Sequence, residues 1–88
     1  SYDLDATGYT VLKNSGVTDV SYSDSTYQAQ VENDTQENEM LCVPFFYQKG
    51  WTAQIDGEDA GVYNINEGMC GVEVPSGTHE IVLKCPEV

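Results

Sequence analysis

The feature that most restricts this chain is its punctuation. Asp56-Gly57, Asn66-Glu67-Gly68 and Pro75-Ser76-Gly77 break its second half at short intervals, and Ser23-Asp24-Ser25 does the same in the first. Between these signals apolar residues alternate with polar ones, the period of a half-buried strand. Val20 and Tyr22 share a face, as do Tyr27, Ala29 and Val31. Trp51, Ala53 and Ile55 follow, then Cys70, Val72 and Val74, then Ile81, Leu83 and Cys85. Asp56-Gly57 is the strongest hairpin signal, because both central residues of a type I′ turn need positive φ. Pro75-Ser76-Gly77 reads as another tight turn, joining the two strands on either side of it.

The run Met40 to Tyr47 is the most apolar and is expected to form a central strand buried on both faces. Pro44 inside it cannot donate to a ladder, so a bulge or a local edge is expected there. Residues 33–38 are polar and acidic and read as a loop; Val62 to Ile65 reads as a short strand. The first sixteen residues are ambiguous. Asp5 can cap a short helix running to Asn14 with Gly16 as its stop, while Tyr9 to Lys13 can equally be a strand. The expected fold is therefore all-β: a sandwich of about seven short, mostly antiparallel strands over 17–88, after a helical or irregular lead-in over 1–16. Its expected core is Val20, Tyr22, Val31, Leu41, Val43 and Trp51, with Ile55, Val72, Val74, Ile81 and Leu83.

At 88 residues the chain is one domain with one thin core. Fifteen acids face three lysines, with no arginine, for a formal charge of −12. Phosphate backbones repel such a chain, so no nucleic-acid partner is expected, and binding to anionic head groups is disfavoured likewise. No apolar run approaches the length of a membrane span, so this piece is not expected to insert directly into a bilayer. The start at Ser1-Tyr2 without an initiator methionine suggests a piece excised from a longer protein, with Ser1 a cloning remnant.

Few residues point to chemistry. Asp3, Asp5, Thr7 and Gly8 match the opening of a calcium-binding EF-hand loop, but the twelfth position is Asn14 where a bidentate glutamate is needed. Asp56, Glu58 and Asp59 cluster at a hairpin tip, where acids are ordinarily solvated. The only histidine, His79, lies on the face of Ile81 and Leu83, with no nearby serine or cysteine and acid to suggest a triad. Cys42, Cys70 and Cys85 have neither metal-knuckle nor Cys-x-x-Cys spacing. They read as small core residues, with a single disulfide as the rival. In a two-residue Ser76-Gly77 turn Cys70 would face Leu83, putting Cys85 diagonally away and beyond easy bonding. No catalytic residue, metal or cofactor is expected. Trp51 and Tyr47 are the candidate glycan contacts, since aromatic rings stack on sugars; filling the core is the competing role for Trp51.

Longer stretches carry a resemblance. Phe46-Tyr47-Gln48-Lys49-Gly50-Trp51, continuing to Asp56-Gly57, resembles the Tyr-x-x-Gly-Trp … Asp-Gly signature of the YfhO-like family of bacterial multi-spanning membrane proteins. Gly77-Thr78-His79-Glu80-Ile81-Val82-Leu83 resembles that family's closing Gly-x-His-x-Ile/Val-x-Leu strand, and Val17 to Val31 the strands before the signature. Gly50, Trp51, Asp56, Gly57, Gly77 and His79 match it residue by residue. Cys85 stands where the family often has an aromatic residue.

The resemblance implies an extracytoplasmic β-sandwich attached to a bundle of membrane helices. It implies a parent similar to polytopic sugar transferases that use lipid-linked donors and glycosylate teichoic acids or other envelope polymers of Gram-positive bacteria. Catalytic residues would then sit in membrane-adjacent loops outside this chain. The expected function is that of a non-catalytic accessory domain on the extracellular face of the membrane. Its expected partners are the rest of its own membrane-spanning chain and, in addition, cell-envelope glycan. An independent carbohydrate-binding module or a structural surface domain is the alternative.

Overall fold

The computed structural model describes residues 16–65 and 68–86. The lead-in expected over 1–16 lies, but for Gly16, outside the described residues, as do the EF-hand-like Asp3, Asp5, Thr7 and Gly8 and, in the Asn66-Glu67-Gly68 turn, Asn66 and Glu67. The rest is an all-β sandwich of eight antiparallel strands: β1 (Val17–Ser23), β2 (Thr26–Asn33), β3 (Glu39–Phe46), β4 (Thr52–Ile55), β5 (Glu58–Ala60), β6 (Tyr63–Ile65), β7 (Met69–Val74) and β8 (Gly77–Lys84). One sheet has the order β1-β2-β8-β4-β5 and the other β3-β7-β6. The strand beyond the expected seven is β5. Its three residues, Glu-Asp-Ala, carry no apolar alternation, and pairing with β4 alone defines it.

The core lies between the sheets. Val31, Val43, Cys70, Val72, Val74, Ile81 and Leu83 are all fully buried, and Tyr27, Ala29, Leu41 and Ala53 complete the cluster. Three strands with neighbours on both edges, β2, β7 and β8, contribute most of it. Trp51 and Ile55 are half-buried and pack against the cluster from its rim.

Three expectations need correction. Val20 and Tyr22 are exposed, at 56% and 53%. Their strand is the outermost of five facing a sheet of only three, so it is only partly covered. A bulge between Thr18 and Ser21, with Asp19 at φ 52°, also breaks its alternation. The run Met40 to Tyr47 forms an edge strand, not a central one: β3 pairs only with β7. Met40, Leu41 and Val43 are buried, but Phe46 is 85% exposed. Pro44 explains the edge, since a residue without N–H is confined there, and the register does shift between Val43 and Phe46 as a bulge requires.

The third correction concerns Pro75-Ser76-Gly77. It does not close a hairpin; it carries the chain from one sheet to the other, β7 pairing with β3 and β6 while β8 pairs with β2 and β4. Cys70 therefore faces Val43, not Leu83, and the diagonal argument about Cys85 falls with its register. Cys70 and Cys85 are both reduced, with no disulfide between them. The arch is held by Asn33, a polar side chain only 1% exposed. Its Nδ2 donates to the carbonyls of Val74 (3.0 Å) and Glu37 (2.7 Å), and its Oδ1 accepts from Thr35 N (3.0 Å) and Oγ1 (2.7 Å). Every polar atom of the amide is used, which is what makes its burial tolerable.

Candidate functional site

Part of the signature, Asp56, Gly57 and His79, meets at the β4–β5 hairpin. Asp56 and Gly57 have φ of 53° and 85°, both positive, and Ile55 pairs with Glu58 across them. This is the expected two-residue turn of the primed type. Aspartate tolerates the left-handed conformation and leaves its carboxylate free to reach sideways. It reaches β8. Asp56 Oδ1 accepts from the backbone N of Glu80 at 2.9 Å, while Asp56 N donates to Glu80 O at 2.9 Å. These bonds extend the β4–β8 ladder one step past Ile55↔Ile81.

His79 completes the arrangement. Its Nδ1 lies 2.6 Å from Asp56 Oδ2 and its Nε2 2.8 Å from the carbonyl of Ser76. A carboxylate and a carbonyl can only accept, so both ring nitrogens donate and the geometry calls for the imidazolium. The hydrogen bond to Asp56 raises the His79 pKa, and the carbonyl of Ser76 adds to the effect. The bond from His79, then that from the Glu80 amide, lowers the Asp56 pKa. One clasp thus ties the hairpin turn, the arch carbonyl and the first residues of β8. It consumes both nitrogens of the histidine, whose role here is to join backbone segments. Gly77, at φ 103°, opens β8 just before it.

The other signature residues gather at the opposite end of the strands. Gly50 has φ 104°, and a Cβ there would stand 2.9 Å from Pro86 Cβ, so the bend before β4 needs glycine twice over. Trp51 stacks on Phe45 with centroids 5.7 Å apart and planes 18° apart, and its Nε1 donates to Phe46 O at 3.1 Å. Phe45 also meets Tyr22 at 5.4 Å and Tyr27 edge-on at 5.9 Å. Tyr47 is half-buried against the core, its backbone N donating to Gly68 O. The two candidate glycan contacts are thus near one another in sequence and on the core's rim, with one face of Trp51 taken by Phe45.

The structure does not unite these into a single pocket. The clasp lies at the arch end of the strands and the aromatics at the other. Asp56, Glu58 and Asp59 stand exposed about the hairpin, and no group of three metal-binding side chains occurs among the described residues. No described helix is long and apolar enough to cross a membrane. Sequence reasoning identified Asp56 and His79 separately but not as partners, because 23 residues separate them. It missed Asn33 altogether, although Asn33-Asp34-Thr35 carries the side-chain chemistry of an Asx turn.

The sequence matches a known family. The family model described as bacterial membrane protein YfhO matches residues 6–85. The chain belongs to the YfhO family. No curated protein and no solved structure matches it. Membership makes it part of a membrane-protein family, the one that its Gly-Trp, Asp-Gly and Gly-x-His elements resemble. In this YfhO-family chain each has a structural place: the bend at Gly50, the turn at Asp56-Gly57, and the clasp on β8.

Proposed function

We propose that this chain is a non-catalytic accessory domain of a membrane-embedded, glycosyltransferase-like protein, placed on the extracytoplasmic side and serving glycosylation of cell-envelope polymers such as teichoic acid. The observation that carries the proposal is the match to a membrane-protein family across residues 6–85, combined with the use made of its signature. Asp56 and His79 are the residues one would enlist for acid–base work, yet both are committed to backbone and to each other. Chemistry then belongs to the rest of the parent chain, and the sandwich covers, positions or holds. A high acidic charge opposes phosphate-bearing polymer, so contact with it through Trp51 and Tyr47 is weak and depends on bridging cations.

The test is a transfer assay with lipid-linked sugar and envelope polymer. The isolated chain should be inactive, and membranes bearing the parent protein active. Calorimetry of the chain against teichoic acid and neutral glycans, with and without calcium, gives the second arm. Turnover by the isolated chain contradicts the proposal. So does tight, calcium-independent glycan binding lost in a folded Trp51→Ala variant, which favours a carbohydrate-binding module.

A further inference from the structure

The strands of this sandwich run from an acidic end to an aromatic one. At the arch end, register places Glu32 beside Thr78, Glu39 beside Val74 and Glu73 beside Met40. The loop after β2 adds Asp34 and Glu37, and the clasp region Asp56, Glu58 and Glu80. No described lysine lies there. At the other end, Lys84 stands between Thr26 and Thr52, and Lys49 precedes Gly50 and Trp51. Asp24 sits in the turn there, so the described charges leave this end near neutral.

The near-neutral end is also where the large apolar side chains are exposed. Phe46 is 85% exposed and Tyr22 53%, with Val20 two residues behind at 56%. Phe45, next to Phe46 in β3, links Tyr22 and Trp51 in a ring series. An exposed phenylalanine next to the packed Phe45, at the strand end that carries Lys49 and Lys84, has the composition of a membrane-interface anchor: rings at the head-group level, lysines reaching to phosphate. The acids on the arch end stand roughly 20 Å away along an eight-residue strand. That exceeds the Debye length of about 8 Å at physiological salt, so their repulsion from a lipid surface is screened at the aromatic end.

We infer that the aromatic end, led by Phe46, docks on the lipid–water interface of the bilayer, with the acidic end pointing away from it. The inference rests on the family's being one of membrane proteins and is independent of any glycosyl transfer. No strand crosses the bilayer; the rings reach head-group depth only.

Trp51, the chain's one tryptophan, is the natural reporter. The experiment titrates the chain with phosphatidylcholine vesicles to millimolar lipid, with and without bromine-labelled acyl chains, and reads Trp51 emission. The expected result is quenching by the brominated lipid. Phe46→Ser should weaken partitioning about tenfold, as the loss of a largely buried ring would. Val20→Ser should weaken it less, and Glu58→Gln at the far end should leave it unchanged. Melting curves establish that each variant is folded. Absence of quenching overturns the inference, as does full partitioning by Phe46→Ser. A photo-cross-linker at position 46 in parent-bearing membranes should label lipid; label on protein instead assigns this end to a protein partner and overturns the inference too.

Discussion

Asp56 does three things that no neighbouring residue could do together. It adopts positive φ, accepts from the Glu80 amide, and holds the His79 ring. Its pKa is lowered below 3.8 and that of His79 raised above 6.5. The signs set a window. Asp56 adds stability above its unfolded pKa, and this is lost as pH falls through the folded value. His79 adds stability that is complete below its unfolded pKa and is lost as pH rises through the folded value. The clasp is therefore strongest between about pH 4 and 6.5. The melting-temperature difference between the natural chain and His79→Gln should peak in that window and shrink on both sides; using a difference removes the acid-wide self-repulsion common to both. At Gly57 nothing lies within 4 Å of an added Cβ, so only backbone strain opposes substitution. Gly57→Val should cost about 1–3 kcal/mol, and Gly57→Asn much less, because asparagine tolerates the left-handed region. Equal melting temperatures for the two would remove the turn's conformational demand. Cys70 is wholly buried, and burial pushes its thiol up to about 11. Iodoacetamide at pH 8 should leave it unmodified until the chain is unfolded, and mapping of modified peptides reads this directly.

The elements show which features local sequence encodes. Alternation in β2, β7 and β8 is legible because apolar side chains mark the core-facing side of each; Val31, Val72, Val74, Ile81 and Leu83 are all inside. The hairpin at Asp56-Gly57 is legible because its conformation restricts the residues that can form it. Position within a sheet is not legible in the same way. Val20 and Tyr22 alternate as core residues do, yet the five-over-three mismatch leaves β1 only partly covered. Pro75-Ser76-Gly77 marks a reversal without saying whether the next strand joins the same sheet or the facing one. That choice is made by Asn33, 41 residues from Val74, and by the clasp. One packing feature was equally hidden. Gly71 in β7 presents bare backbone to Met40 and Ile65, both buried, and an added Cβ would lie within 2.9 Å of each. Gly71→Val should cost about 1–3 kcal/mol through overpacking. Urea unfolding measures it, and a neutral result would show that Met40 and Ile65 can move aside.

At the scale of the whole molecule, the family signature is a set of closures. Gly50 bends the chain against Pro86 at the aromatic end, and Asp56-Gly57 with His79 locks hairpin, arch and β8 at the other. Both closures bear on β4 and β8, adjacent strands of the larger sheet. An accessory domain of the kind proposed would need this more than it needs a pocket: a stable body that keeps its two ends in fixed relation. The central claim is that Asp56 and His79 form one structural unit on which the fold depends. A double-mutant cycle in global unfolding tests it most directly, using Asp56→Ala, His79→Ala and the pair, at pH 5.5, inside the window where the clasp is intact. The account predicts that each single variant loses stability and that the double variant is scarcely less stable than the worse single one. Losses that simply add would mean that the two residues act separately, and would contradict it.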